Sequence, residues 1–120
     1  MNSLSMAERH AILTNHEGWF GSATPEFQAA VLSRCEWREV MAGQTLYHAS
    51  DPQADPCGIV DGTVEIYSRF GAGDNPMLHL LHEGAWVGYG SALRGLPPRV
   101  TAVARTKVLL AYLPGRVLKD

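Results

Sequence analysis

Near residue 36 the hydrophobic period of this chain changes from about 3.6 to about 2. Beyond that point come eight short β-type runs: Trp37–Met41, Thr45–His48, Cys57–Val60, Thr63–Phe70, Met77–His82, Ala85–Val87, Arg99–Ala104 and Lys107–Leu113. Glycine, proline and acid or amide residues separate them. Short strands repeated roughly every 8–12 residues predict an antiparallel barrel or sandwich. In the fourth run Val64 and Ile66 face one way, and Thr63, Glu65 and Tyr67 face the other. Asp61-Gly62, between the third and fourth runs, predicts a hairpin. Gly71 to Pro76 predicts a loop.

The first forty residues read as helical. Ser5-Met6-Ala7-Glu8 has the Ser-x-x-Glu form of a capping box, and His10 to Leu13 continue that helix. Trp19-Phe20-Gly21-Ser22 breaks it, the two aromatic residues forming a plug between helices and strands. Thr24 then reads as an N-cap with Pro25 at the first helical position. Phe27, Ala30, Val31 and Cys35 predict one apolar stripe on this second helix. The expected organisation is a helical segment over 1–36, a β domain over 37–114 and the start of a truncated helix over 115–120. That last feature predicts a chain cut from something longer.

Composition narrows the class. At 120 residues one domain is expected, and 46% apolar with 18% charged residues argues for a packed globular fold. No apolar run nears the roughly 20 residues of a membrane span, and Met1 to Ser5 lacks the pattern of a secretion signal. Cys35 and Cys57 fit neither a metal spacing nor a disulfide framework, which predicts buried thiols in a reducing, cytoplasmic setting. The net charge is −2. Arg34/Arg38 and Arg105/Lys107 are thin basic pairs, so this segment is not expected to bind nucleic acid itself.

The stretch from Gly88 to Arg99 carries the candidate chemistry. A glycine-rich turn leads into a short helix, Pro97-Pro98 stops it, and an arginine opens the next strand. Main-chain N–H groups of residues 89–92 facing the Arg99 guanidinium would cradle an anion of phosphate size. Each residue also has a purely structural reading. Arg99 could tie down the 88–98 loop, Gly88 and Gly90 could serve only the turn, and Ser91 and Ala92 could simply start the helix. Tyr89 could pack on the sheet, and Thr101 could line a pocket or bond within the sheet.

Taken in order, several pieces resemble the sensor half of the Crp/Fnr family of bacterial transcription regulators. Phe20 to Glu26 resembles the family's approach to the helix before the roll. Ala42-Gly43-Gln44-Thr45-Leu46-Tyr47-His48-Ala49-Ser50-Asp51 resembles its first hairpin, usually Gly-x-x-Ile/Leu-x-x-x-Gly-Asp. Gly58 to Val64 resembles its second, and Glu83 to Gly88 its run toward the ligand loop. The resemblance spans roughly residues 10–120 and implies a mainly β fold with N-terminal helices, an antiparallel double-stranded β-helix or jelly-roll barrel. It also implies a small effector bound at Gly88, Tyr89, Gly90, Ser91, Ala92, Arg99, Val100 and Thr101, with cyclic AMP or cyclic GMP as the family's ligands.

The ligand cassette departs from the family. Gly88 and Arg99 match, but the glutamate that accepts the ribose hydroxyl falls on Tyr89, and the small polar residue after the arginine falls on Val100. Losing a carboxylate acceptor costs about 1.5–3 kcal/mol, roughly 10- to 150-fold in affinity. The expectation is therefore that a cyclic nucleotide binds weakly or not at all, and that another small effector, or none, is used. The family's dimer helix and DNA-reading domain would lie beyond Asp120. A homodimer, helped by Val117 and Leu118, and DNA contact only through that missing domain are what the resemblance implies for partners.

Two other classes compete: a ligand-free interaction scaffold with the same fold, and a metal-binding cupin. His79 and His82, three apart on a strand, point to opposite faces, and His48 stands alone, so no metal site is expected. No serine sits in a nucleophile elbow, and Cys35 on an apolar stripe is poorly placed to attack, so no enzyme is expected. A pocket beneath residues 88–99 containing Arg99 would favour the ligand domain. Apolar side chains filling that space would favour the scaffold.

Overall fold

The computed structural model describes residues 4–14, 18–68 and 77–114. Its elements in order are α1 (Met6–Thr14), α2 (Pro25–Ser33), β1 (Glu36–Val40), β2 (Thr45–Tyr47), β3 (Cys57–Asp61), β4 (Val64–Ser68), β5 (Met77–Leu81), β6 (Trp86–Val87), α3 (Tyr89–Arg94), β7 (Val100–Ala104) and β8 (Val108–Tyr112). The strands form one sheet in the order β1-β8-β3-β6 and a second in the order β2-β7-β4-β5, every pair antiparallel. The two orders are the same because the chain builds four long ribbons, each bent once. Residues 36–47, 57–68, 77–87 and 100–112 each give one half to each sheet. This is the expected β-roll.

The bends lie side by side along one corner. Gly43 N–H donates to Ala104 O (2.7 Å), Ala104 N–H to Gln44 O (2.8 Å), Arg105 N–H to Thr63 O (2.9 Å) and Gly62 N–H to Glu83 Oε2 (2.9 Å). The hairpin expected at Asp61-Gly62 is not one: β3 and β4 pair with other strands and lie in different sheets. The glycine is required for a different reason. Its φ is +107°, and a Cβ there would lie 2.5 Å from the Lys107 carbonyl oxygen. A turn motif between two β runs fits a corner and a hairpin equally, because both redirect the chain through a positive φ.

The roll interior packs Tyr47, Cys57, Ile59, Val64, Ile66, Val87, Ala102, Val108 and Leu110. The alternate residues of the β1-β8-β3-β6 sheet point outward to the helices: Val60, Trp86, Leu109 and Ala111 join Leu13, Phe20, Val31 and Leu32. That sheet is covered on both faces, so β3 and β8 read as near-continuous apolar runs rather than alternating ones. In β4, Val64 and Ile66 point inward as expected.

The helix caps match the sequence pattern. Glu8 N–H donates to Ser5 Oγ (3.1 Å) and Ser5 N–H to Glu8 Oε1 (2.9 Å), which is a reciprocal capping box. Phe27 N–H donates to Thr24 Oγ1 (3.2 Å), with Pro25 opening α2. The predicted stripe on α2 is corrected. The helix stops at Ser33, so Cys35 lies outside it. Phe27 and Ala30 are exposed, and Val31 with Leu32 makes the buried contact. Arg34 N–H donates to Val31 O (3.0 Å) and Cys35 N–H to Leu32 O (3.3 Å), tightening the last turn and ending the helix before the stripe completes. The 71–76 loop and the helix start at 115–120, with Val117 and Leu118, lie outside the described residues.

Candidate ligand site

β6 leads at Gly88 into α3, and α3 returns through Gly95 to Arg99. Gly88 has φ +81°, and a Cβ there would sit 2.6 Å from the Asp55 carbonyl oxygen, so no other residue makes this turn without moving the 54–55 backbone. The turn opens a cavity of about 360 Å³ between α3, the 98–100 segment and the inner face of the roll. Gly88, Tyr89, Gly90, Ser91, Arg99 and Val100 all line it. Tyr47, Ile66, His79, Leu81, Trp86 and Arg94 complete most of the wall.

The Arg99 side chain is exposed and makes no hydrogen bond or ion pair with any described residue. It does not tie down the loop. Ser91 does that instead. Its buried hydroxyl accepts from Ala54 N–H (3.0 Å) and donates to the Leu96 carbonyl, pinning α3 to the segment before β3 and to its own exit. Tyr47 is buried in the cavity wall with its hydroxyl toward the Gly88 N–H, and burial pushes its phenol up to about 12.

Two of the eight expected site residues stand apart from the cavity. Ala92 is fully buried, and its N–H is spent on Gly88 O (3.1 Å), so only the N–H groups of Tyr89, Gly90 and Ser91 lack acceptors within the helix. The Thr101 hydroxyl accepts from Ala49 N–H (2.9 Å), the bonding alternative rather than the lining one.

Tyr89 stacks on Trp19 at 5.1 Å between ring centroids and 24° between planes. Trp19 also meets Phe20 and Trp86 edge-on, both at 5.5 Å, which makes the expected aromatic plug between helices and roll. Tyr89 and Trp86 thus line both the main cavity and a smaller one of about 160 Å³ under the 18–21 turn. Tyr89 forms a side wall and leaves the volume in front of Arg99 open.

Sequence reasoning did not reach His79, Leu81 or Arg94 as lining residues. They converge from β5 and from the last turn of α3, and no local pattern signals that meeting. Ile66 was legible as an inward residue, though not as a pocket residue. The described His, Cys, Asp and Glu side chains form no group of three able to hold a metal ion. Burial pushes the Cys35 and Cys57 thiols up to about 12, which leaves both protonated and poor nucleophiles. No helix among the described residues is long and apolar enough to cross a membrane.

This geometry can be set beside known proteins. A protein of Ruegeria pomeroyi described as a candidate cyclic nucleotide binding protein superposes with a TM-score of 0.85 at 24% identity, over 96% of this chain and 50% of that one. The N-terminal domain of a transcriptional regulator from Streptomyces coelicolor gives 0.78 at 22%, over 90% and 75%. The catabolite activator protein of Thermus thermophilus gives 0.73 at 23%, over 83% and 47%. The chain therefore spans about half the length of the first and third of these. No curated protein sequence matches it significantly. The sequence profile of the cyclic nucleotide-binding domain matches residues 37–120, the whole of the roll. With that match and the shared roll, the chain belongs to the cyclic nucleotide-binding domain family.

Proposed function

We propose that this chain is the effector-sensing domain of a Crp/Fnr-like transcription regulator working in the cytoplasm, with no catalytic role of its own. In this reading the helical segment ahead of residue 37, through α1 and α2, rides on the roll that follows it. The effector is a small anion seated in the 360 Å³ cavity, a volume within the usual range for small-molecule sites. Gly88, Tyr89, Gly90, Ser91, Arg99 and Val100 touch it; Ala92 and Thr101 support the wall from behind. The observation that carries this reading is a guanidinium with no partner among the described residues, lining an open cavity, where a scaffold would have closed both. The likeness to transcription regulators of two bacteria supports the regulatory context. Ligand in the roll would bias a dimer between two DNA-binding states through the helix that follows.

Tyr89 supplies no carboxylate for a ribose hydroxyl, so cyclic AMP and cyclic GMP bind weakly. Titration calorimetry with both nucleotides, on the wild type and on Arg99→Ala, tests the reading. Whatever affinity exists should fall at least about tenfold in the variant, with no change in melting temperature, because Arg99 bonds to no other described group. Undiminished binding in Arg99→Ala overturns the proposal. Submicromolar cyclic-nucleotide affinity lost in Arg99→Ala overturns the discount placed on nucleotide.

A further inference from the structure

Among the described residues, the charge lining the cavity is of one sign: Arg94 and Arg99 both line it, and no described aspartate or glutamate does. Elsewhere three of the described basic groups pair with acids, Arg38 with Glu36 (2.7 Å), Arg105 with Glu65 (3.7 Å) and Lys107 with Glu39 (3.2 Å), and Arg9 lies over the Trp37 ring. Arg94 has no acid partner among the described residues. Its Nε donates to Gly90 O (3.2 Å), which folds the side chain back over the glycine turn and leaves its terminal nitrogens without an acceptor among the described residues. A Cβ on Gly90 would lie 3.6 Å from Arg94 Nη2, so the guanidinium rests on the glycine itself. The wall behind is aromatic and aliphatic, with Trp86, Tyr89, Ile66 and Leu81.

Resting on the effector-sensing reading above, we infer that the cavity selects a dianionic phosphate monoester on a ring-bearing body, and disfavours the monoanionic cyclic diester. The physical reason is a count of charges and acceptors. A cyclic 3′,5′-diester carries one negative charge and two free phosphate oxygens, which one guanidinium fork satisfies. A terminal monoester carries between about −1.5 and −2 at neutral pH and offers three oxygens. Two forks, one from Arg94 and one from Arg99, match the second ligand and leave the first with a cation uncompensated. Tyr89 reinforces the choice, since it brings an aromatic face where the family's acid would repel a second ligand charge.

Calorimetry of this chain with adenosine 5′-monophosphate, its methyl ester and 3′,5′-cyclic AMP separates charge from shape, the first being a monoester and the other two diesters. The expected order is the monophosphate about tenfold tighter than either diester at low salt, the gap shrinking as salt rises. Arg94→Gln should erase the gap, whereas Arg99→Gln should weaken all three ligands. Both arginines are exposed, so circular dichroism should report both variants folded. Cyclic AMP binding as tightly as the monophosphate, the methyl ester behaving like the monophosphate, or a gap surviving Arg94→Gln each overturns the inference and leaves the effector site standing. Absence of binding by all three, or binding indifferent to Arg99→Gln, overturns the effector site as well.

Discussion

Replacing Tyr89 by glutamate is the most direct test of why this cavity differs from its relatives. Tyr89 is 36% exposed and stacks on Trp19 at 5.1 Å, so the substitution removes an aromatic pair and part of a buried ring. An aromatic pair contributes about 0.5–1.5 kcal/mol beyond its area. With the lost burial, the folded state should weaken by about 1–2 kcal/mol, which in a domain of this size lowers the melting temperature by roughly 4–10 °C. In return the site gains a carboxylate beside Gly88 and Arg99. A hydrogen bond to a charged acceptor is worth about 1.5–3 kcal/mol when buried. At a wall about one-third exposed it should be discounted to about 1–2 kcal/mol, or roughly 5- to 30-fold. The expected result is a gain of that size for cyclic AMP and a loss for adenosine 5′-monophosphate, which the new acid repels. Calorimetry reads both, and Tyr89→Phe is the control that keeps the stacking. A folded Tyr89→Glu protein whose cyclic AMP affinity stays flat or falls would refute the assignment of this position to the ribose side of the cavity.

Other consequences are cheaper to check. Ser91→Ala leaves the Ala54 N–H and the Leu96 carbonyl without their shared partner, and should cost about 2–3 kcal/mol in denaturant unfolding. Gly62→Ala forces a side chain into a +107° φ against the Lys107 carbonyl, and should cost about 3 kcal/mol or more; a shift under about 3 °C in melting temperature would contradict the corner geometry. Thr24→Ala removes the α2 cap for about 1 kcal/mol. Cys35 and Cys57 are held protonated by burial, to about 12 against an ordinary thiol value of 9.0. Folding stability should therefore be full below about pH 9 and fall as pH rises toward 12, with native-state alkylation slow throughout that range. Rapid labelling of both thiols at neutral pH would refute their burial.

The parts of this molecule that sequence made legible are those fixed by near neighbours. Ser5 with Glu8, Thr24 with Pro25, and the inward pair Val64 and Ile66 each depend on residues within a turn or a strand. Errors arose where distant segments decide. Asp61-Gly62 reads as a hairpin in any local window; only the Thr106–Val108 backbone beside it makes it a corner. The stripe through Cys35 assumed a helix two residues longer than α2, which ends where β1 must begin its pairing with β8. The site divides in the same way. Gly88 and Arg99 were visible as a turn and a following cation, whereas Arg94 and His79 enter only when α3 and β5 face each other across the cavity.

The ribbon of residues 100–112 lies between ribbons 36–47 and 57–68 in both sheets, although it comes after both in sequence. Ribbon 36–47 has no neighbour until that segment is available, ribbon 57–68 has only ribbon 77–87, and most strand pairs span long stretches of chain. Collapse should therefore wait on late sequence, with a relaxation in the slow range of β-rich domains. A chain ending before Val100 should expose unpaired strand edges and aggregate rather than form half a roll.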